Sequence, residues 1–507
     1  MSEPTYDDVP YEGRAIPAAA PARLALAARA HGGPRPPLER ARVLEIGCGD
    51  GGHLLPLAFH HPDWTLTGID ASARAIAKAR EGARELGLSN VRFVHADLAA
   101  FEPEGEHDYV IAHGVYSWID ERARAALRAL VRRALAPQGL AYVSFNAQPG
   151  WGVRGRVRDA LVRAPAGTAE ARRRAARLRA ILGEPATDWA VLLARELERA
   201  ADAEEAYLAH EYLAAHNDAF WLGDVVRDFA RAGMAYVGDA SFDRPEGFVD
   251  PHLRARVAEL SRDPIAREEL LDLLAYRQLR TAVLCREDAP RAPPAGLALM
   301  DEAFVASAVR AEGDPFDPRP EVEERFVGPY GSEVRVSSAL AKMAMLILAS
   351  IYPRARSLDA LVADARERLG ALGIAPDADE PARLRVGLFE LWQHLEVELR
   401  LEDAALGLTP GQRPVASALA RYEARSRPAL TTPVCSMLPI EPIDREIVTR
   451  LDGTRTAEEV ASELARAVHA GAIALEGAPS GIERIERELA ARVRATITTL
   501  GWWGLAR

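Results

Sequence analysis

The chain has 507 residues, 49% of them apolar, enough for two or three domains with substantial cores. Its 74 acidic against 63 basic residues leave a net charge of −11. That balance argues against a nucleic-acid partner held through its phosphates.

Residues 1–37 open acidic and polar, unlike a signal peptide. They carry Y-D-D-V-P-Y at residues 6–11 and predict an Ala-rich helix near residues 21–31, ended by a Gly-Gly-Pro-Arg-Pro-Pro stretch. Residues 42–53 read R-V-L-E-I-G-C-G-D-G-G-H: an apolar strand, a glycine turn and a helix start. Such a turn lets backbone approach a ligand closely, and the helix N-terminus presents free N–H groups. A second strand, L-T-G-I-D, ends in Asp70, placed to grip a ribose. A third, V-R-F-V-H-A-D-L, carries Asp97 toward an adenine amino group, with Ala71 and Leu98 beside the two acids. The fourth strand is expected over residues 107–114. Residues 135–145 read as a helix end, a turn and a fifth strand.

Gly47, Gly49 and Gly52 also satisfy G-x-G-x-x-G, so a dinucleotide enzyme and an unrelated doubly wound domain are alternatives. Glu45 shifts the balance. Just before the turn it would repel a pyrophosphate, whereas S-adenosylmethionine brings an ammonium and a sulfonium. S-adenosylmethionine is therefore the expected cofactor.

Residues 155–217 are rich in Arg, Glu and Ala and predict a helical insertion. An amphipathic helix at 220–232 and strands at 233–237 and 277–286 are expected to finish the sheet with a sixth and an antiparallel seventh strand. Residues 286–320, rich in Pro, Asp and Glu, predict a linker. Beyond it, helices at 337–351, 358–369 and 381–395 precede a short strand, E-V-E-L-R-L. In the last segment Thr456 and Glu459 form a capping box. Both C-terminal segments read as winged-helix-like modules. Their acidic balance favours docking a protein over binding DNA, with dimerisation equally open. The expected division is a cofactor-binding core with an N-terminal lid (1–154), an insertion and cap completing the sheet (155–290), a linker (291–324) and two modules (325–410, 411–507). The longest mostly apolar run, residues 343–351, is too short to span a bilayer.

The loops after the fourth and fifth strands hold H-G-V-Y-S-W-I and N-A-Q-P-G-W-G. They leave the carboxyl ends of neighbouring strands, where doubly wound folds bind ligands. Tyr116, Trp118 and Trp151 are expected to wall a slot for a cationic acceptor, where an ammonium gains about 0.5–2 kcal/mol over a ring. Tyr116 or Asn146 could relay a proton from a lysine amine. No metal is expected. His60–His61 and the His210–Glu211–His216 group lack ligand spacing, and Cys48, Cys285 and Cys435 are too scattered for a metal site or a disulfide framework, which suits a reducing cytoplasm. Only Lys78 and Lys342 are lysines, a bias that coding composition explains.

Together Y-D-D-V-P-Y, H-G-V-Y-S-W-I, S-F-N-A-Q-P-G-W and A-H-E-Y-L (residues 209–213) resemble class I methyltransferases carrying a methyltransferase regulatory domain, among them rickettsial outer-membrane-protein lysine methyltransferases. The resemblance implies a doubly wound, seven-stranded Rossmann-like α/β sheet with a helical insertion and mostly α, winged-helix-like C-terminal modules. It implies that Tyr6, Tyr11, Glu45, Gly47, Gly49, Asp70, Ala71, Asp97, Leu98 and His113 surround the cofactor. Tyr116, Trp118, Asn146 and Trp151 would surround the acceptor. The expected activity is methyl transfer to a protein or peptide side chain, lysine first. The alternatives are a small-molecule O- or N-methyltransferase and a non-catalytic, cofactor-responsive docking module.

Overall fold

The computed structural model describes residues 12–163, 167–242, 249–313, 316–475, 477 and 479–507. They form two units. One comprises residues 12–14, Ala27–Ala58 and Pro62–Pro294; the other comprises Ala15–Leu26, Phe59–His61 and Ala295–Arg507.

The first unit is built on one sheet of β1 (Arg42–Ile46), β2 (Thr65–Asp70), β3 (Val91–His95), β4 (His107–Ala112), β5 (Leu135–Ala147), β6 (Ala219–Phe220), β7 (Met234–Asp239) and β8 (Leu279–Arg286). The order is β3-β2-β1-β4-β5-β8-β7, with the two-residue β6 beside the end of β5. Strands β1 to β5 are parallel, and β8 runs antiparallel to both β5 and β7. This is the expected seven-stranded plan plus one two-residue strand. The order reverses between β1 and β4, which opens a crevice at their carboxyl ends.

Local chemistry explains the elements. Val43, Leu44 and Ile46 of β1 are buried, as a central parallel strand covered on both faces requires. The Asp120 carboxylate accepts the Ala123 N–H at 2.8 Å and starts helix Glu121–Ala134. Leu127, Leu130 and Val131 of that helix then pack on Val110, Val143 and Phe145. Truncating such a leucine costs about 2–5 kcal/mol. One expectation shifts here. Residues 135–139 are strand rather than a helix end and turn, because Leu135 pairs with His107 across a register shift in β4.

The insertion is helical, with Gly152–Val162, Thr168–Leu182, Asp188–Asp202 and Glu205–Tyr207, the last running into a π-helical turn at Leu208–Tyr212. Val157, Leu161, Ala175, Leu197 and Tyr212 form its core.

In the second unit the expected linker is corrected. Phe304–Ala306 is the middle strand of a small sheet, between Arg356–Ser357 and Glu398–Arg400. Its partners lie far along the chain, so Pro- and acid-rich composition hid it. Helices Ala339–Ile351, Leu358–Ala371 and Glu380–Gln393 follow. Beyond them a hairpin (Ala429–Thr431, Met437–Pro439) accompanies helices Ala418–Ala424, Pro442–Arg450, Ala457–His469 and Ile482–Trp502. The Thr456–Glu459 capping box is formed in both directions. Among the described residues, no helix is long and apolar enough to cross a membrane.

Candidate active site

The turn after β1 is shaped by its glycines. Gly47 has φ +75°, and a Cβ there would meet Val115 Cγ2 at 2.6 Å. Gly49 has φ +53°, and among the described residues no atom lies within 4 Å of its Cβ position, leaving its backbone approachable on that side. Asp70, ending β2, holds this turn. One of its oxygens accepts the Gly49 N–H and the other the Ser72 N–H, both at 2.8 Å. Ser72 in turn caps helix Ala73–Glu85 by accepting the Ala75 N–H. The carboxylate is thus aimed by the two segments it joins, and each oxygen keeps a further lone pair that could receive a hydroxyl donor.

Residues 12–14 cross the same turn. The Gly13 N–H donates to Asp50 at 3.1 Å, and a Cβ on Gly52 would strike the Gly13 carbonyl carbon at 2.1 Å. Two glycines are needed for that backbone crossing. Tyr6 and Tyr11, expected beside the cofactor, lie outside the described residues.

Glu45 closes the bottom of the crevice. It is 3% exposed, and among the described residues its Oε2 has no hydrogen-bond partner. Burial, reinforced by the charges of Asp70 and Asp50, pushes its pKa up to about 8. Such a carboxyl keeps its proton until a cation arrives to stabilise the ionised form, and an anion beside it would only hold the proton on more firmly. An aminoalkyl sulfonium ligand fits this acid-lined turn, and a pyrophosphate does not. Cys48, inside the turn, is buried with its thiol pKa pushed up by burial, then by Glu45, so it is no nucleophile.

The other predicted cofactor contacts spread around this centre. Asp97 is exposed just past β3, and its Oδ1 accepts the Ala99 N–H at 2.8 Å. Leu98 packs against the core. The Ala71 carbonyl lies 3.0 Å from His95 Nε2. His113, after β4, has Nδ1 2.9 Å from the Tyr142 hydroxyl. Burial and then the Arg14 charge lower its pKa to about 4, so it is neutral at pH 7.

The acceptor-side loops are corrected in part. Tyr116 is 1% exposed, its ring set among Phe145, Phe220 and Phe229 and its hydroxyl accepting from Arg128. Trp151 is 2% exposed with Arg154 5.4 Å over its ring. Both rings are more stable packed inside than lining a wet slot. Neither offers open ring surface, against the expectation that both wall an exposed slot. Trp118 alone of the three keeps part of its surface open, and its Nε1–H donates to the His210 carbonyl at 3.1 Å. Asn146 is buried and donates through Nδ2 to Asn217 Oδ1 at 2.6 Å. Its backbone N–H donates to Ser117 Oγ at 2.8 Å. Asn217 in turn donates to the Glu211 carbonyl at 2.7 Å. The loops after β4 and β5 are therefore stitched to the end of the insertion. Asn217, Ser117 and the His210–Glu211 peptide were missed from the sequence. The only signal was that A-H-E-Y-L precedes a polar H-N-D at the edge of the insertion.

Three family models match the chain: a methyltransferase domain over residues 43–139, a predicted methyltransferase regulatory domain over 204–286, and the PKMT C-terminal winged helix domain over 412–505. The first spans the glycine turn, Asp70, Asp97 and the acceptor loop after β4. This chain carries a class I, S-adenosylmethionine-dependent methyltransferase domain. The methyltransferase domain continues into the regulatory domain, which contributes β7 and β8, and a winged-helix domain ends the chain. In fold the chain is similar to PKMT2 from Rickettsia typhi, with a TM-score of 0.86 at 20% identity, covering 98% of this chain and 100% of that one. A second structure of that protein is in complex with AdoHcy. An uncharacterized protein of Rickettsia prowazekii is 29% identical over 292 residues, 56% of this chain and 53% of that protein. A trans-aconitate 2-methyltransferase of Methylobacterium nodulans is 34% identical over 99 residues, 20% of this chain and 36% of that enzyme. The chain spans about half the length of the first curated relative it matches.

Proposed function

We propose that this chain transfers a methyl group from S-adenosylmethionine to an amine on a protein or peptide side chain, lysine first. The observation that carries the reading is the buried Glu45, whose Oε2 has no hydrogen-bond partner among the described residues, just before the positive-φ glycine turn. It calls for a cationic ligand where the methyltransferase domain is expected to hold one. When bound, that cofactor supplies a methyl group on a positively charged sulfur.

The chain's own residues have separate tasks. Asp70 holds the turn and is placed to receive the sugar hydroxyls. Glu45 balances the ligand's ammonium. Asn146 is held rigid by Ser117 and Asn217, and so keeps the acceptor loop in one position. Trp118 offers a partly open ring beside it, suited to an alkylammonium. Most of the rate in such a site comes from holding the reacting atoms in line. The acceptor must shed its proton first, and that costs about 4–5 kcal/mol for a free lysine at pH 7. The likeness to PKMT2 and the PKMT winged-helix match support a protein acceptor over a metabolite.

The test is incubation with methyl-labelled S-adenosylmethionine and a bacterial protein extract, followed by mass spectrometry. Label on lysine side chains of protein is expected. Label recovered only in the small-molecule fraction overturns the protein-acceptor reading.

A further inference from the structure

The insertion helix Thr168–Leu182 carries five arginines, Arg172, Arg173, Arg174, Arg177 and Arg179, against one acid, Glu170, in a chain of net charge −11. Its inner side is Ala171 and Ala175, buried in one cluster with Leu208 and Tyr212. Arg173 and Arg177 stand two residues on from those alanines, about 200° round the helix, and both are exposed.

Elsewhere in the same unit exposed arginines meet an acid one turn away. Arg227 pairs with Asp224 and Arg231 with Asp228, both at 2.8 Å. On Thr168–Leu182 the acids run short. Arg173 meets Glu170 at 2.7 Å, and Arg179 meets Glu198. Arg172 donates to the Ala203 carbonyl at 2.6 Å, and among the described residues Arg172, Arg174 and Arg177 form no ion pair. Arg177 has Arg173 and Arg174 as like-charged neighbours on the helix surface, which destabilises a helix. An anionic partner lying along the face relieves that repulsion.

The face leads to the acceptor loops. Arg172 holds the Ala203 carbonyl, and the Thr168 hydroxyl donates to Glu205 at 2.8 Å. From there the chain runs into the π-helical turn Leu208–Tyr212. Trp118 Nε1 donates to the His210 carbonyl of that turn, and Asn217, bound to Asn146, donates to the Glu211 carbonyl.

We propose that the arginine face of Thr168–Leu182 docks an acidic stretch of the polypeptide that is methylated, with Arg173 and Arg177 as anchors; this rests on the reading of the site as a protein methyltransferase. An extended segment fits the spacing. Four residues along a helix advance about 6 Å, and alternate side chains of an extended chain recur every ~7 Å. Carboxylates at alternate positions can therefore meet Arg173 and Arg177 in turn. Nucleic acid and a lipid surface fit less well. The helix carries no aromatic ring on which a base could stack, and its alanine side is already buried in the insertion's core. The acidic remainder of the chain repels a long polyanion.

The test compares the wild type with the double variant Arg173→Glu, Arg177→Glu and with a control, Arg227→Glu, Arg231→Glu, that alters net charge equally. The first measurement is fluorescence anisotropy of a labelled, lysine-free oligoglutamate at about 20 mM salt. Binding by the wild type, about 10-fold weaker in the double variant and unchanged in the control, is expected, with loss of the difference by about 200 mM salt. No binding by the wild type, or equal weakening in the control, overturns the proposal. The second is methylation of two peptides whose single lysine is flanked at alternate positions by Glu or by Gln. The wild type should show a KM about 10-fold lower for the Glu peptide with kcat within about twofold, and the double variant should treat the two alike at unchanged adenosylhomocysteine affinity. A wild type indifferent to the flanking acids overturns the proposal. So does tighter binding of phosphatidylglycerol vesicles or duplex DNA than of oligoglutamate, lost in the same double variant. If the wild type methylates neither peptide, the functional reading fails, while the anisotropy still decides the docking face. Should the double variant not fold, Arg177→Gln takes its place, and affinity for oligoglutamate equal to that of the wild type overturns the proposal.

Discussion

The glycine turn and the acceptor loops leave the same edge of one sheet, yet they are built by opposite rules. The turn is local. β1, its glycines and Asp70 lie within thirty residues, and two 2.8 Å bonds from backbone N–H groups fix the carboxylate. The side proposed for the acceptor is assembled from afar, with Trp118, Asn146 and Asn217 joined through the end of a helical insertion. The lesson is one of robustness against adaptability. A cofactor shared by many enzymes can be held by a short motif. Segments joined from afar, as on the side proposed for the acceptor, can be exchanged without disturbing the turn.

That contrast can be broken most severely at Asp70. Asp70→Ala removes both turn contacts and the hydroxyl acceptor, so adenosylhomocysteine affinity should fall about 100-fold or more by calorimetry. Near-normal binding would show that the turn stands without it.

Glu45→Gln should act next most strongly, weakening S-adenosylmethionine about 10-fold at pH 8.5. The wild-type affinity should rise with pH from 6 to 8, because the ligand-free carboxyl keeps its proton up to about pH 8 and must release it to pair with an ammonium. The variant should lose that slope. The stability sign is opposite. The folded pKa lies above the unfolded value of 4.5, so the wild type loses stability as pH climbs from 4.5 through about 8. Ligand-free Glu45→Gln should therefore melt higher than the wild type at pH 8.5, by a few degrees. Identical melting curves would mean that Glu45 is solvated.

The smallest effect sharpens the division of labour. Trp118→Ala should leave cofactor affinity within about twofold while turnover on a lysine peptide drops about 10-fold, the loss of an aromatic wall and one hydrogen bond. A parallel loss of cofactor affinity would show that the two sites are one.

The legibility of the molecule follows the same line. The sheet, its antiparallel late strand and the capped helix at Thr456 were readable because apolar periodicity and capping chemistry act over a few residues. Phe304–Ala306 was not, because a three-residue strand is defined by partners much later in the chain. On the acceptor loops the sequence marked three aromatic rings but could not rank them. Tyr116 and Trp151 turned inward, and only Trp118 stayed partly open.

By itself the sequence determined the turn: glycines free to take positive φ, an acid before the turn and an acid ending the next strand have one economical geometry, because backbone sterics and short-range charge specify it. Tertiary structure alone decided which rings stay open, that Asn146 meets Asn217, and that Glu196 is engaged by Arg154, Arg199 and Tyr212. Those outcomes depend on which distant segments reach the loops first with a donor or an apolar face, and packing of remote elements carries no local signature.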